Sequence, residues 1–187
     1  ASERSKPMFE TKGRDGFERS QKEKADIYGP LKYQTPDVYF NRRMVFDDGT
    51  QRVELLHFGH AHTMGDAVAW LPKHGILFTG DGAFNYTGDS NTESWIAVLN
   101  AMDELPIKVI APGHGESAGK ELVATQRKYF VERRAAIKKL IGEDRTLDEI
   151  KQQIDLPFYK EWTGVDVKTR VENIEHVYGE LKETSGK

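Results

Sequence analysis

Two periods of apolar residues alternate along the middle of this chain. From Asp37 onward the runs are short and extended: Val38-Tyr39-Phe40, then Arg43-Met44-Val45-Phe46. Asp47-Asp48-Gly49-Thr50 predicts a hairpin turn, because glycine tolerates the positive φ such a turn needs. Arg52–Leu56 returns as a strand, Ala67–Leu71 is the next, Pro72-Lys73-His74-Gly75 turns it back, and Ile76–Thr79 follows. The near-continuous apolar character of Leu55-Leu56, Ala67–Leu71 and Ile76–Phe78 predicts strands buried on both faces. The period then changes. Trp95, Val98, Leu99, Met102 and Leu105 recur at helical spacing, with Thr92 or Ser94 as the cap and Pro106 as the stop. Ile107–Ala111 reads as a buried strand.

The flanks read differently. Residues 1–35 are polar, and Phe9, Phe17, Tyr28, Leu31 and Tyr33 are too widely spaced for a sharp amphipathic helix. One or two short helices are expected there, broken near Gly13 and Gly16, with a turn at Gly29-Pro30. The charges of this region read as a solvated face rather than a binding patch. After Gly119 the chain is mainly helical. Val123, Phe130, Ile137 and Ile141 mark one face of a long helix that closes at Gly142. Thr146-Leu147-Asp148-Glu149 is a capping box before Ile150 and Ile154, with an exit at Pro157. Val171, Ile174, Tyr178 and Leu181 form a last amphipathic helix. Strands alternating with helices place the chain in the α/β class. The organisation expected is an α/β core over residues 1–120, then a core-packing helix and helical extension over 121–187.

Composition narrows the function. The 187 residues suffice for one core, and 37% hydrophobic against 30% charged residues makes that core modest. A net charge of -3 gives no reason to expect nucleic acid or an anionic membrane as partner. No run of apolar residues is long enough to span a bilayer. With no cysteine, disulfides, thiolate ligands and a cysteine nucleophile are excluded. The compartment stays open between cytoplasm and periplasm.

Candidate chemistry sits where apolar runs end. Leu55–Leu56 leads to His57, His60 and His62; Ile76–Phe78 leads to Thr79-Gly80-Asp81; Val109–Ala111 leads to Pro112-Gly113-His114-Gly115. Each run closes in a glycine-bearing turn with a His or Asp at its tip. Imidazole nitrogens and a carboxylate are natural ligands of zinc and similar ions. His62, Asp81 and His114 are therefore the candidate metal ligands. No Ser lies in a nucleophile motif of the GxSxG type. His60 reads as a pocket-wall or supporting residue, Asp66 as a backbone-bonding residue of its turn, and His57 as a strand residue. His74 in a turn and His176 on the last helix read as solvent-facing. Asn85, Tyr86 and Asp89 fall in the polar loop after Asp81, which is expected to lie beside these candidate ligands.

In order and spacing, His62-Thr63-x-Gly65-Asp66, Thr79-Gly80-Asp81 and Pro112-Gly113-His114-Gly115 resemble the second half of the metallo-β-lactamase superfamily. The resemblance covers Val53 to Glu116 strongly. It implies the C-terminal half of an αββα sandwich with a helical C-terminal extension. It also implies that His62 serves a first metal, that Asp81 bridges two, and that His114 serves the second. Zinc is the expected metal, two per complete site, with iron or manganese as alternatives. Thr63 and Thr79 are candidates for hydrogen bonds that orient these ligands. The family's first signature, HxHxDH, is absent, and no His precedes His57. The expectation is that this sequence is the C-terminal part of a longer polypeptide.

The function expected from the resemblance is metal-dependent hydrolysis. A metal-activated water would attack an ester, thioester, lactone or related small molecule, at a site incomplete in this chain. The alternative is a non-catalytic binding or assembly module that keeps a remnant metal site. Its exposed sheet and helices would find a second copy or a complementary N-terminal segment.

Overall fold

A computed structural model of the chain describes residues 1–83, 90–154 and 167–185. Its centre is a five-stranded sheet in the order β1-β2-β3-β4-β5, formed by Arg43–Asp47, Arg52–Leu56, Val68–Leu71, Ile76–Gly80 and Val109–Pro112. The first four strands are antiparallel neighbours, and β5 joins β4 in parallel. It follows that β2, β4 and β5 run in the same direction and their C-terminal ends share one edge. Asp48 closes the β1–β2 turn as expected: its carboxylate accepts from the backbone of Thr50 and Gln51, which holds it down at a pKa of about 2. Val38-Tyr39 lies outside the strands, and Phe40 makes a single parallel bridge to Ser2.

The helices that cover the sheet are α4 (Thr92–Asp103) and α5 (Glu121–Gly142). Asn91, rather than Thr92 or Ser94, caps α4, its side chain accepting from Ser94 N at 2.8 Å. The core is Val68, Trp70, Leu77 and Ile110 from the sheet against Trp95, Val98, Leu99, Met102, Val123 and Phe130 from the helices. The expectation of strands buried on both faces is corrected here. The register sets Met44, Leu55, Ala69, Phe78 and Ala111 side by side on the opposite face, with Phe46, Val53, Leu71, Ile76 and Val109 in the adjacent row. None of these residues is buried, and Phe46 and Phe78 are 55% and 46% exposed. The apolar run reports what both faces favour; among the described residues only one face is covered.

At the far end of α5 a second cluster forms. Ile137 meets Ile150 of α6 (Leu147–Gln153) and Ile174 and Val177 of α7 (Val167–Ser185). The capping box at Thr146 and Glu149 is present in both directions. Pro157, the expected exit, lies outside the described residues. No helix is long and apolar enough to cross a membrane among the described residues.

The N-terminal region departs from expectation. Helical turns run without a break from α1 (Lys6–Met8) through a π-helical stretch at Phe9–Gly13 into α2 (Arg14–Glu23), followed by α3 (Ala25–Tyr28). Gly13 and Gly16 do not break it. In the π turn the Phe9 carbonyl accepts from the Tyr33 hydroxyl. That hydroxyl would lie 2.6 Å from a Cβ at position 13, so glycine makes the contact feasible.

The last helix is tied to the start of α4. The Glu180 carboxylate accepts from Thr92 N at 2.8 Å, from the Thr92 hydroxyl and Arg134 at 2.5 Å each, and from His176 Nε2 at 2.9 Å. An anion at a helix N-terminus satisfies free N–H groups and the helix dipole together. The same Nε2–H is shared with the Ser90 carbonyl, 2.9 Å away, so His176 is half-buried rather than solvent-facing as expected. The hydrogen bond to Glu180 raises the His176 pKa above its ordinary 6.5, against the opposing effects of burial and of the nearby Arg133 charge. Burial pushes Glu180 up, but the bonds from His176 and Thr92 outweigh it and hold the carboxyl below its ordinary 4.5.

Two predictions follow from this packing. Leu77→Ala, on the covered face, should cost about 2–5 kcal/mol in urea denaturation, whereas Phe78→Ala on the open face should cost under about 1 kcal/mol. Similar losses at both positions would mean the second face is covered in solution. The second concerns pH. A depressed Glu180 contributes stability above pH 4.5 that is lost as pH falls through its folded pKa; a raised His176 contributes stability below pH 6.5 that is lost as pH rises through its own. Glu180→Gln should therefore cost most between those values, about 1.5–3 kcal/mol. A cost independent of pH from 4 to 8 would refute the assignment.

Candidate metal centre

The shared strand direction brings three tips together. Asp81 follows β4 directly, His114 lies two residues beyond β5, and His62 is carried by the longer β2–β3 loop. His62 Nε2 lies 3.7 Å from Asp81 Oδ2, and His114 Nε2 lies 3.4 Å from Asp81 Oδ1. Each histidine thus faces a different oxygen of one carboxylate. These separations are too long for strong hydrogen bonds. Two ligands about 2.0–2.1 Å from one tetrahedral zinc would lie roughly 3.3 Å apart, close to what is found. The donor types fit a divalent metal. The set is short, however: among the described residues no group of three or more His, Cys, Asp or Glu is assembled as a metal-holding cluster. The three side chains converge pairwise on Asp81 rather than enclosing a point.

The turns are built to allow this approach. Gly80 has φ of 51°, a left-handed conformation that suits glycine. Gly113 N donates to the Gly80 carbonyl at 2.9 Å, which fastens the β5 tip to the β4 tip. A Cβ at position 113 would sit 2.5 Å from Asp81 Oδ1, so the Pro-Gly-His turn approaches the carboxylate through a glycine.

The His62 loop is fixed from several sides. Asp66 accepts from Thr63 N at 2.9 Å and from the Thr63 hydroxyl, the backbone-bonding role expected of it. His57 Nδ1 lies 2.6 Å from the Asp66 carbonyl, just past the end of β2. Ser2 Oγ donates to the Gly65 carbonyl at 2.8 Å. The buried Ala61 accepts from Asn91 N at 3.2 Å, and the Trp95 ring meets His62 edge-on with centroids 5.8 Å apart. Trp95 Nε1 also donates to the Gly82 carbonyl at 2.9 Å, so one indole braces the segments of both His62 and Asp81. The Thr79 hydroxyl donates to the Gly80 carbonyl at 3.1 Å, so Thr63 and Thr79 each tie their own turn.

The remaining histidines separate. His74 is exposed in the β3–β4 turn, as expected, with Nε2 2.9 Å from Gln51 Oε1. His60 lines a cavity beside the N-terminal helices. Asn85, Tyr86 and Asp89 lie outside the described residues. Two contributors went unread in the sequence. Trp95 was legible only as a core residue, because its second contact crosses from helix to loop. Asn91 could have been found, since Asn is a better cap than the threonine after it.

Among curated proteins no sequence matches the chain. Among solved structures, the chain is similar to a metallo-beta-lactamase from Pontibacter korlensis, at 26% identity and a TM-score of 0.48, covering 62% of each chain. It is also similar to the stereoselective inverting sec-alkylsulfatase Pisa1 from Pseudomonas sp., at 17% identity and a TM-score of 0.63. That match covers 77% of this chain and 26% of the other, and supports the shared α/β fold. The chain therefore spans less than two thirds of the length of either protein. The sequence model of the metallo-beta-lactamase superfamily matches residues 3–114, which hold every tip described above, and the chain belongs to that superfamily.

Proposed function

We propose that this chain carries part of the active centre of a metal-dependent hydrolase, with His62, Asp81 and His114 as metal ligands. The observation that carries the reading is the carboxylate of Asp81 turned with one oxygen toward each histidine. A carboxylate so placed suits a bridge between two metals, zinc by preference, with iron or manganese as alternatives. When bound, such metals supply Lewis acidity: they lower the pKa of water from roughly 15.7 toward about 7 and polarise a substrate oxygen. The substrate class is a small ester, thioester, lactone or related molecule.

The protein's own residues do the positioning. Trp95 fixes the plane of the His62 ring, the Asp66–Thr63 bonds fix the loop that bears it, and Gly113 lets the His114 turn reach Asp81 without displacing the carboxylate. Further donors are required for a complete site, and a complementary segment would have to bring them to the same sheet edge. A second reading draws on a different observation. The open apolar face of the sheet suits association, with the metal residues as a remnant.

Elemental analysis of the purified chain separates the two. Near two metals per chain, lost in His62→Ala, supports the hydrolase reading. One metal supports a partial site, and none would leave an association module. Gly113→Ala provides a finer test: the added methyl displaces Asp81 and should weaken metal affinity about 10–100-fold with the fold retained by circular dichroism. Unchanged affinity would remove Asp81 from the ligand set.

A further inference from the structure

The candidate metal centre is joined to the last helix by hydrogen bonds that run through two peptide groups. His176 of α7 donates from Nε2 to the Ser90 carbonyl at 2.9 Å. The amide of that same peptide group, Asn91 N, donates to the Ala61 carbonyl at 3.2 Å. A trans peptide is planar and directs its C=O and N–H to opposite sides. One plane is thus held from α7 on one side and from the β2–β3 loop on the other. The Ala61 carbonyl belongs in turn to the peptide group that carries the nitrogen of His62. Glu180 holds the next residue, Thr92, at its N–H and its hydroxyl, and shares the Nε2–H of His176. A carbonyl and a carboxylate, each 2.9 Å from Nε2, fix the proton on that nitrogen. Hydrogen bonds in such a chain polarise and strengthen one another.

We propose that His176 and Glu180 are positioning residues for His62, acting through the Ser90–Asn91 peptide to hold the β2–β3 loop where its imidazole faces Asp81. Ala61 is fully buried, so a carbonyl left there without its donor is costly, and the loop shifts to regain one. The same peptide segment sets the start of α4, because the Asn91 carbonyl accepts from Trp95 N at 2.8 Å and the Trp95 ring meets His62 edge-on. The packing of α7 is separate from this path. Ile174 lies with Ile137 and Ile150 in the second cluster, so the packing and the hydrogen bond can be removed independently. As an influence on metal binding the coupling rests on the hydrolase reading. As a mechanical link within the metal-free chain it stands alone.

The test is NMR of the full 187-residue chain in EDTA at constant pH, reading the amides of Asn91 and His62 and the rings of His62 and His114. His176→Leu removes the donor and should move the Asn91 and His62 signals more than those of His114, which sits on the separate β5 tip. His176→Gln can present an amide N–H in place of Nε2–H and should restore them. Ile174→Ala weakens α7 packing and should leave them unmoved. His176→Asn, too short to reach Ser90, gives the same reading as the Leu variant should that variant lose its fold by circular dichroism. Unmoved His62 signals on loss of the donor, or equal movement in Ile174→Ala, would overturn the proposal. Zinc titration of the same variants reads the consequence for the metal centre. His176→Leu should bind about tenfold more weakly, and His176→Gln should recover most of that loss. Wild-type zinc affinity in His176→Leu would also overturn the positioning role. A chain that binds no zinc in any variant would sink the hydrolase reading, and the amide signals would still decide the coupling.

Discussion

The covering of one sheet face by α4 and α5, the one face covered among the described residues, is the constraint on which the rest of the structure depends. Trp70, Leu77 and Ile110 are buried against Trp95, Leu99, Val123 and Phe130. A large apolar side chain moved from water to such a core contributes about 1.5–3 kcal/mol, so this one layer carries much of the stability. It also sets the site. With α4 anchored on the sheet, its first turn lies against the β2–β3 loop, where Asn91 meets Ala61 and Trp95 meets His62. The same helix that makes the core thereby fixes the ring of a candidate ligand.

The two sheet faces differ in a way that burial alone does not explain. At the β1–β2 end, the covered face carries Arg43, Arg52 and Glu54, joined by ion pairs at 2.7 and 2.8 Å. The open face carries no charge in either of its rows. A face kept free of charge across every strand has the composition of an interior. Among the described residues Phe46, Phe78 and Val109 are exposed together on that face, which differs from the ordinary scatter of single apolar residues on a protein exterior.

Much of this was legible in the sequence, and the failures share a cause. The hairpin at Asp48-Gly49, the strands ending at Leu56 and Leu71, the helix stop before Pro106 and the capping box at Thr146 are local signals, each decided within a few residues. The glycine-bearing tips could be read because tight turns and metal donors are both constrained in residue type. What escaped depends on residues far apart in the chain. Glu180 meets Thr92 across 88 positions, and nothing near His176 announces that its ring will be held by Ser90. The helix through Gly13 is likewise contacted by Tyr33, twenty-four residues from the Phe9 carbonyl to which it donates. Apolar alternation showed the preference of each sheet face but not which face α4 and α5 would cover.

The candidate centre and the open face pose one problem rather than two. Asp81 stands between two imidazoles, with His62 3.7 Å from one carboxylate oxygen and His114 3.4 Å from the other, and these are donor types that suit a divalent metal. Three donors leave coordination positions for other groups to fill. The open face runs up to the same edge, since Phe78 and Ala111 stand just before the tips that bear Asp81 and His114. A second sheet packed on that face in the aligned manner would run its strands within about 30° of these, and strands of it that end at this edge would stand near the trio. Covering the apolar face in that way would bring donors on those strand ends near the metal residues. On the hydrolase reading, covering the sheet and completing the metal centre are a single event.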